Sequence, residues 1–283
     1  MAKIVNINNS FASYQQLISF YEENANWLFS NIHIELRQWF AANMSAALGA
    51  LLDLLAKNFN DFSFDIAEDI EQILSKNDFL TFYGRERKAD INHTTIRFQK
   101  LTPKDEKYFK TYVIGELIGR TELPKMSEAV KAKMAESICE MFVNAQIHSE
   151  TENIYTCGQF FPAKNTIEFT IVDTGIGIKK KVNSFLERNL TSSQAIRWAI
   201  IDKNSTKDVT GGIGLAILKE FIEKNEGKMQ IVSDSGFYEF GKNREIYKEF
   251  RGRFPGTIVN LQFNTNDSGN YCLKDEIDIN DIF

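Results

Sequence analysis

The sequence is poor in the residues that build disulfide frameworks, metal clusters and stiff linkers. It holds three cysteines (Cys139, Cys157 and Cys272), three histidines and four prolines among 283 residues. An odd number of widely spaced cysteines gives neither a disulfide framework nor the paired spacing of a zinc site. Three scattered histidines do not indicate a histidine-rich metal site, and four prolines leave no proline-rich linker.

Long apolar runs and a surplus of positive charge are also missing. No stretch reaches the roughly 20 apolar residues of a membrane span, and the opening MAKIVNINNS lacks the apolar run of a signal peptide. We therefore expect a cytoplasmic protein with no membrane partner. The net charge of -5 provides no broad attraction to nucleic acid, so we expect no nucleic-acid partner either.

The length of the chain favours two domains. In residues 1–85, strand-like and helix-like patterns alternate and predict a β-α-β-α-β-α order, a small α/β layer fold. Residues 88–104 are polar and lack helical periodicity, so we place the boundary there. The predicted division is an α/β domain over 1–100, a second domain over 101–264 and an acidic C-terminal tail over 265–283.

The second domain is predicted to be of the α+β class, with a mixed sheet covered by helices on one face. Its predicted helices cover 105–120, 125–149 and the stretch from Gly214 to Asn225. Its predicted strands lie near 153–160, 166–172, 228–233 and 257–263, and a long irregular segment follows Asp173.

The helix over 125–149 carries a polar stripe. Glu136, Glu140, Asn144 and His148 are spaced by four residues and therefore share one face. Such a stripe is equally typical of a solvated helix surface. In the functional interpretation, the Asn144 oxygen binds a magnesium ion, which prefers hard oxygen ligands. Glu140, one turn earlier, orients or deprotonates a water molecule aimed at a terminal phosphate.

In the segment IVDTGIGI an apolar strand leads directly into Asp173, which Gly175 and Gly177 follow. A carboxylate at a strand end can accept a hydrogen bond from an exocyclic amine such as that of adenine, and glycines let the backbone approach a flat base. A plain turn is the alternative, since Asp and Gly are turn residues. The segment is not the dinucleotide fingerprint, because Ile178 and three lysines follow instead of a third glycine.

A third motif is TGGIGLAILKEF, in which Gly211, Gly212, Ile213, Gly214 and Leu215 lead into a helix. Free backbone N–H groups at a helix N-terminus, reached through glycines, form an anion site that suits phosphate. A flexible loop before a helix is the alternative.

The order of these parts resembles the GHKL superfamily of Bergerat-fold nucleotide-binding proteins, over about residues 105–264. The parts are Glu140 and Asn144, then Asp173 with Gly175 and Gly177, then Gly211, Gly212 and Gly214, and last Gly256 with Thr257. The resemblance implies a two-layer α/β sandwich that binds ATP and Mg²⁺. It implies that Asn144 is the metal ligand, that Asp173 binds adenine, that Thr257 lies near the base and that the glycine loop closes over the phosphates. Ile178, Ile213 and Leu215 are expected nucleotide contacts beside these motifs.

Within the superfamily, EMFVNAQIH resembles the anti-sigma-factor serine kinases, whereas GGIGLAILKEFIEKNEGKM is more similar to sensor kinases. Segment 179–210 would form a lid, in which Lys207 is a candidate phosphate contact or a solvated loop lysine. Residues 1–100 resemble STAS-like domains, which are frequent partners of the anti-sigma-type kinases. An unrelated α/β module is the alternative.

Three activities remain open. The first is a magnesium-dependent regulatory ATPase with Glu140 as the catalytic residue. The second is a Ser/Thr kinase that acts on a STAS-type partner or on its own N-terminal domain. The third is a non-enzymatic adaptor that binds ATP. A sensor histidine kinase is disfavoured because no histidine lies in a recognisable phosphoacceptor helix, and the resemblance makes a homodimer plausible.

Overall fold

The computed structural model describes residues 2–201 and 213–276 of the chain. The N-terminal half contains a parallel sheet whose strands are β1 (Ala2–Ile4), β2 (Asn31–Leu36) and β3 (Asp61–Ile66), in that spatial order. Its helices are α1 (Phe11–Asn24), α2 (Ser45–Ala56) and α3 (Glu68–Lys76). Ile32, Ile34 and Leu36 are buried on one face of β2, as their alternation predicts. The β-α-β-α-β-α order is therefore confirmed.

The second half contains a sheet of five strands in the order β4-β6-β7-β9-β8. They are β4 (Thr95–Leu101), β6 (Ile154–Phe161), β7 (Thr166–Asp173), β8 (Lys228–Gly241) and β9 (Arg244–Asn264), while a separate short parallel pair joins β5 (Lys125–Met126) to β10 (Asn270–Tyr271). Every neighbouring pair in the five-stranded sheet is antiparallel, where a mixed sheet was expected. Short hairpin connections from β6 to β7 and from β8 to β9 require the antiparallel direction in two of these four pairs. Strand β4 lies within the polar segment 88–104.

The helices of the second half are α4 (Glu106–Tyr112), α5 (Glu128–His148), α6 (Gly177–Leu186), α7 (Ser192–Ile200) and α8 (Ile213–Lys224), and α4 continues into a π-helical turn over Val113–Ile118. The Ser127 side chain caps α5 by accepting a hydrogen bond from the Val130 amide. Helices α6 and α7 lie where an irregular segment was expected. Among the described helices, none has the length and apolar character needed to cross a bilayer.

Both faces of the five-stranded sheet are buried. Ile167, Phe169 and Ile171 of β7 belong to one core with side chains of α5 and α8. Val172 belongs to a second core, which it shares with the N-terminal half. Since successive residues of a strand point to opposite faces, odd-numbered residues of β7 face the helices and even-numbered ones face the N-terminal half. The α+β architecture therefore has helices on one face of the sheet and the N-terminal half on the other.

A buried hydrogen-bond network, which we call the Asn43 network, joins these two halves. The Asn43 amide, just before α2, donates to Thr170 Oγ1 at 2.9 Å and to Asn260 Oδ1 at 3.2 Å. Asn260 donates in turn to the Glu168 carboxylate at 2.9 Å. Burial raises the pKa of Glu168 to about 7, against the opposing effect of the Asn260 hydrogen bond. Polar groups thus fix the N-terminal half on the sheet in one register.

Candidate functional site

The ends of three neighbouring strands bring polar side chains together on the helix-facing side of the sheet. Asp173 of β7 pairs in register with Thr257 of β9, and Thr257 pairs with Ser233 of β8. Side chains at paired positions of adjacent strands point to the same face. Asp173, Thr257 and Ser233 therefore form one row at the end of the sheet, on the side that carries α5 and α8.

Asp173 is a dehydrated hydrogen-bond acceptor. The residue is 7 % exposed, and its Oδ1 accepts a hydrogen bond of 2.9 Å from the Gly175 amide. Burial raises the pKa of this carboxyl to about 7, although hydrogen bonds from Gly175 and Ser149 favour its charged form. A buried acceptor of this kind gains most from a ligand that brings its own hydrogen-bond donor.

Close backbone contacts hold the loop after Asp173 in place. The Ile176 amide donates to the Ser149 carbonyl at 2.7 Å, so the loop is joined to the C-terminal end of α5. A Cβ at Gly175 would lie only 1.9 Å from that same carbonyl oxygen. The glycine predicted to admit a flat base is thus already required by the packing of the loop against α5. Whether it also contacts a base stays a prediction.

Ser233 connects the strand ends to the start of α6. Its hydroxyl donates to the Gly256 carbonyl at 3.0 Å and accepts from the Ile178 amide at 2.9 Å. It also lies 3.1 Å from the Thr257 hydroxyl. Because the Ser233 hydroxyl donates to the Gly256 carbonyl, it acts as the acceptor in its hydrogen bond with the Thr257 hydroxyl, and the lone pairs of Thr257 stay available to an incoming donor.

The sequence reasoning missed Ser149 and Ser233. Ser233 has a detectable signal, because Met229 and Ile231 alternate with it along the predicted strand and place it on the helix-facing side. Ser149 has no such signal. Its role depends on the contact between the end of α5 and the loop after β7, which residue spacing does not reveal.

Asn144 and Glu140 lie on α5, the helix that ends beside this row. Asn144 is exposed, whereas Glu140 is half-buried. Asn144 precedes Ser149 by five residues, about 7.5 Å along the helix axis. Phe142 and Ile138 on the opposite side of the helix are buried in the core below. The geometry therefore places an exposed amide within one and a half turns of the loop that carries Gly175.

Part of the predicted phosphate site lies outside the described residues. This holds for Lys207, Gly211 and Gly212, while Ile213, Gly214 and Leu215 are described only as the helical backbone of the first turn of α8. The described part of the predicted lid consists of α6 and α7, and Asp234 of β8 contacts both helices. It forms an ion pair with Lys179 at 3.3 Å and accepts a hydrogen bond from Ser192 at 2.8 Å.

No family model and no curated protein matches this chain. The site combines a row of hydrogen-bond acceptors at the strand ends with an exposed amide on α5.

A second polar cluster lies on the three-stranded sheet. His33, Glu35 and Asp65 offer ligand atoms within 4.8 Å of one another. Arg37 forms an ion pair with Asp65, and the Ser63 hydroxyl lies 3.0 Å from His33 Nδ1. His33 and Asp65 thus already have protein partners, and partly exposed acidic groups such as Glu35 are common without an ion.

Proposed function

We propose that this protein binds ATP with Mg²⁺ in the manner of the GHKL superfamily and uses the bound nucleotide as a regulatory switch. The observation that carries the proposal is Asp173, a buried carboxyl at the end of β7 with Thr257 beside it. Helix α5, which bears Asn144, is joined to the loop that follows Asp173.

The base end of the site is suited to an exocyclic amine. The Asp173 carboxylate accepts hydrogen bonds, and Thr257 offers acceptor lone pairs because its hydroxyl donates its hydrogen bond to Ser233. Adenine presents an amine as a donor, and pairing it with a buried acceptor removes the cost of leaving that acceptor unsatisfied. Adenine, which presents a donor, therefore fits the row better than a base that presents only an acceptor at the same position.

At the phosphate end, Asn144 would hold the magnesium ion. Its exposed amide offers a neutral oxygen, and a single protein ligand suits Mg²⁺, which keeps several waters and binds the phosphates directly. The bound ion would neutralise phosphate charge. The N-terminus of α8 adds backbone N–H groups that favour an anion.

The requirement for Glu140 distinguishes an ATPase from a protein that only binds ATP. It lies one turn before Asn144 on α5, on the stripe predicted to face the nucleotide. In the ATPase proposal its carboxylate orients the attacking water. In the adaptor alternative ATP binds but is not hydrolysed, and Glu140 is dispensable.

In the kinase alternative, Ser45 of the N-terminal half is a poor candidate substrate. The residue lies at the start of α2, is 0 % exposed, and its hydroxyl donates to the Ala42 carbonyl at 2.6 Å. Asn43, two residues earlier, is held by the Asn43 network. Phosphorylation of Ser45 would require the two halves to separate. The other hydroxyls of the N-terminal half and a STAS-type partner protein stay candidates.

The test is calorimetric titration with ATP and ADP, with and without magnesium, followed by a phosphate-release assay on the same samples. We expect Asn144→Ala to remove the magnesium dependence of binding. We expect Glu140→Gln to bind ATP normally and release no phosphate, while Glu136→Gln, one turn earlier on the same helix, serves as the matched control. Phosphate on an added STAS-type protein would favour the kinase. Absence of ATP binding by the unaltered protein would refute the proposal.

A further inference from the structure

Two adjacent loops of the N-terminal half form an exposed apolar surface, which we call the tip. It consists of residues 25–30, between α1 and β2, and residues 57–60, between α2 and β3. Its large apolar side chains are Trp27 (42 % exposed), Leu28 (59 %), Phe29 (78 %) and Phe59 (70 %). The Phe29 and Phe59 rings stack on each other, with centroids 5.1 Å apart and planes at 4°. Such a concentration of exposed apolar side chains is typical of an interaction site.

The backbone at Phe29 and at Phe59 adopts a conformation that is unfavourable for phenylalanine. Phe29 has a φ of 49° and Phe59 a φ of 59°, both in the left-handed region that disfavours side chains with a Cβ. Glycine or asparagine would occupy either position at lower cost. Two exposed phenylalanines at such backbone positions, neither of which fills the core, point to a function for the rings.

Hydrogen bonds inside the tip pair several of its backbone polar groups. The Phe29 amide donates to the Asn58 carbonyl at 3.2 Å, and the Asn58 side chain donates to the Ala25 carbonyl at 2.8 Å. Asn60 donates to the Trp27 carbonyl at 2.9 Å. Further bonds join Ser30 Oγ to the Leu28 carbonyl and the Ser30 amide to Asn60 Oδ1. Each backbone group paired in this way keeps its hydrogen bond when the loop leaves water.

The tip carries no unpaired charge. Lys57 is its only ionisable residue, and its ammonium pairs with Glu152 at 2.8 Å. The nearest charged residues along the chain, Glu23 and Asp61, are acidic and exposed. Such a surface suits an electrically neutral partner and opposes a strongly anionic one.

The exposed apolar area of the tip is small. Three aromatic side chains and one leucine at these exposures present roughly 400–600 Å². A stable protein interface needs about 800 Å² per partner with close shape complementarity. A lipid interface requires no complementary surface, and it accepts Trp, Phe and Leu side chains at the level of the headgroups.

We propose that the tip inserts into the interface of an electrically neutral, zwitterionic phospholipid surface. This changes the expectation of no membrane partner, which followed from the lack of a spanning segment. An interfacial contact needs no spanning helix. The proposal is independent of nucleotide binding.

The experiment is co-sedimentation of the full chain with phosphatidylcholine vesicles, and with vesicles enriched in phosphatidylglycerol. The test variant is Phe29→Gly/Phe59→Gly, because glycine suits both backbone conformations and keeps the fold. The control is Ile91→Ser, which removes an equally exposed apolar side chain outside the tip. Thermal unfolding of each variant accompanies the binding measurement.

We expect the unaltered chain and Ile91→Ser to bind phosphatidylcholine vesicles, with weaker binding to the anionic ones. We expect the double glycine variant to bind at least about tenfold more weakly, with an unfolding temperature that is unchanged or raised. Lack of vesicle binding by the unaltered chain, or equal binding by the double variant, would overturn the proposal. Self-association that depends on Phe29 and Phe59 without vesicle binding would also overturn it, and would identify the tip as an interface between copies.

Discussion

The burial of Asp173 leads to a prediction about stability that can be checked before any ligand is added. Its pKa is about 7 in the folded protein, against an ordinary value of 3.8, with burial as the main cause. A carboxyl whose folded pKa is raised contributes stability that is fully present below pH 3.8 and is lost as the pH rises through 7. The difference between the two values corresponds to about 4 kcal/mol of unfolding free energy.

Asp173→Asn replaces this carboxyl with a neutral group of the same shape, whose oxygen can still accept the Gly175 hydrogen bond. We therefore expect the variant to be more stable than the unaltered chain. The gain should be small near pH 4, should grow between pH 4 and pH 7, and should level off above pH 7 at up to about 4 kcal/mol. The same variant should bind ATP about 10- to 100-fold more weakly, because a charge-assisted hydrogen bond is lost.

The assay is urea unfolding of both proteins at pH 5 and pH 8, monitored by circular dichroism. The informative quantity is the difference in unfolding free energy between the two proteins, and how that difference changes from pH 5 to pH 8. The contributions of other titrating groups are the same in both proteins and cancel. A difference that is the same at both pH values would show that Asp173 is not dehydrated in the folded protein. The burial of the Asp173 carboxylate would then carry no cost in folding stability.

Two further changes test the surroundings of the site. Gly256→Ala should lower the unfolding free energy by more than about 2 kcal/mol. The φ of Gly256 is +142°, and the new Cβ would lie 2.0 Å from the Asp173 carbonyl oxygen. Thermal unfolding measures the loss. Gly115→Ala, whose Cβ would meet nothing within 4 Å, is the control and should lose no stability. Glu168→Gln should stabilise the protein at pH 8 and have little effect at pH 4, since burial raises the pKa of Glu168 to about 7. Urea unfolding at the two pH values measures this. Equal changes in unfolding free energy at pH 4 and pH 8 would contradict it.

Elements with uninterrupted periodicity could be predicted from the sequence. The alternation in β2 and β7 and the long amphipathic pattern of α5 produced the expected elements. Strand β4 was not predicted, since its pairing register shifts between Ile96 and Gln99 and the shift breaks the alternation of apolar side chains. Helix α6 was missed because three consecutive lysines dominate its short sequence, although Ile178, Val182 and Phe185 keep helical spacing.

The burial of the second face of the sheet could not be predicted. Glu168, Thr170 and Asn260 read as solvent-facing positions, because polar residues that alternate with apolar ones usually face water. Asn43, which bonds to both Thr170 and Asn260, lies in the N-terminal half, more than a hundred residues away in the chain. Hydrogen bonding over such separations leaves no periodic trace in the sequence.

The candidate site was predicted in its motifs but not in its supporting contacts. Spacing and resemblance identified Asp173 and Thr257, which the structure pairs in register. The same reasoning could not show that Gly175 is also needed by the packing of α5. Ser149 was missed for the same reason, because its role arises from tertiary contact.

The Asn43 network has a consequence for the modularity of the chain. Thr170 and Asn260, which it engages, lie only three residues from Asp173 and Thr257 on the same strands. A fragment that begins at residue 101 would lack edge strand β4 and would expose a sheet surface whose apolar and polar groups are both built for an intramolecular partner. The buried faces of the two halves are therefore coupled, and a change in the face of one half must be matched by a change in the face of the other.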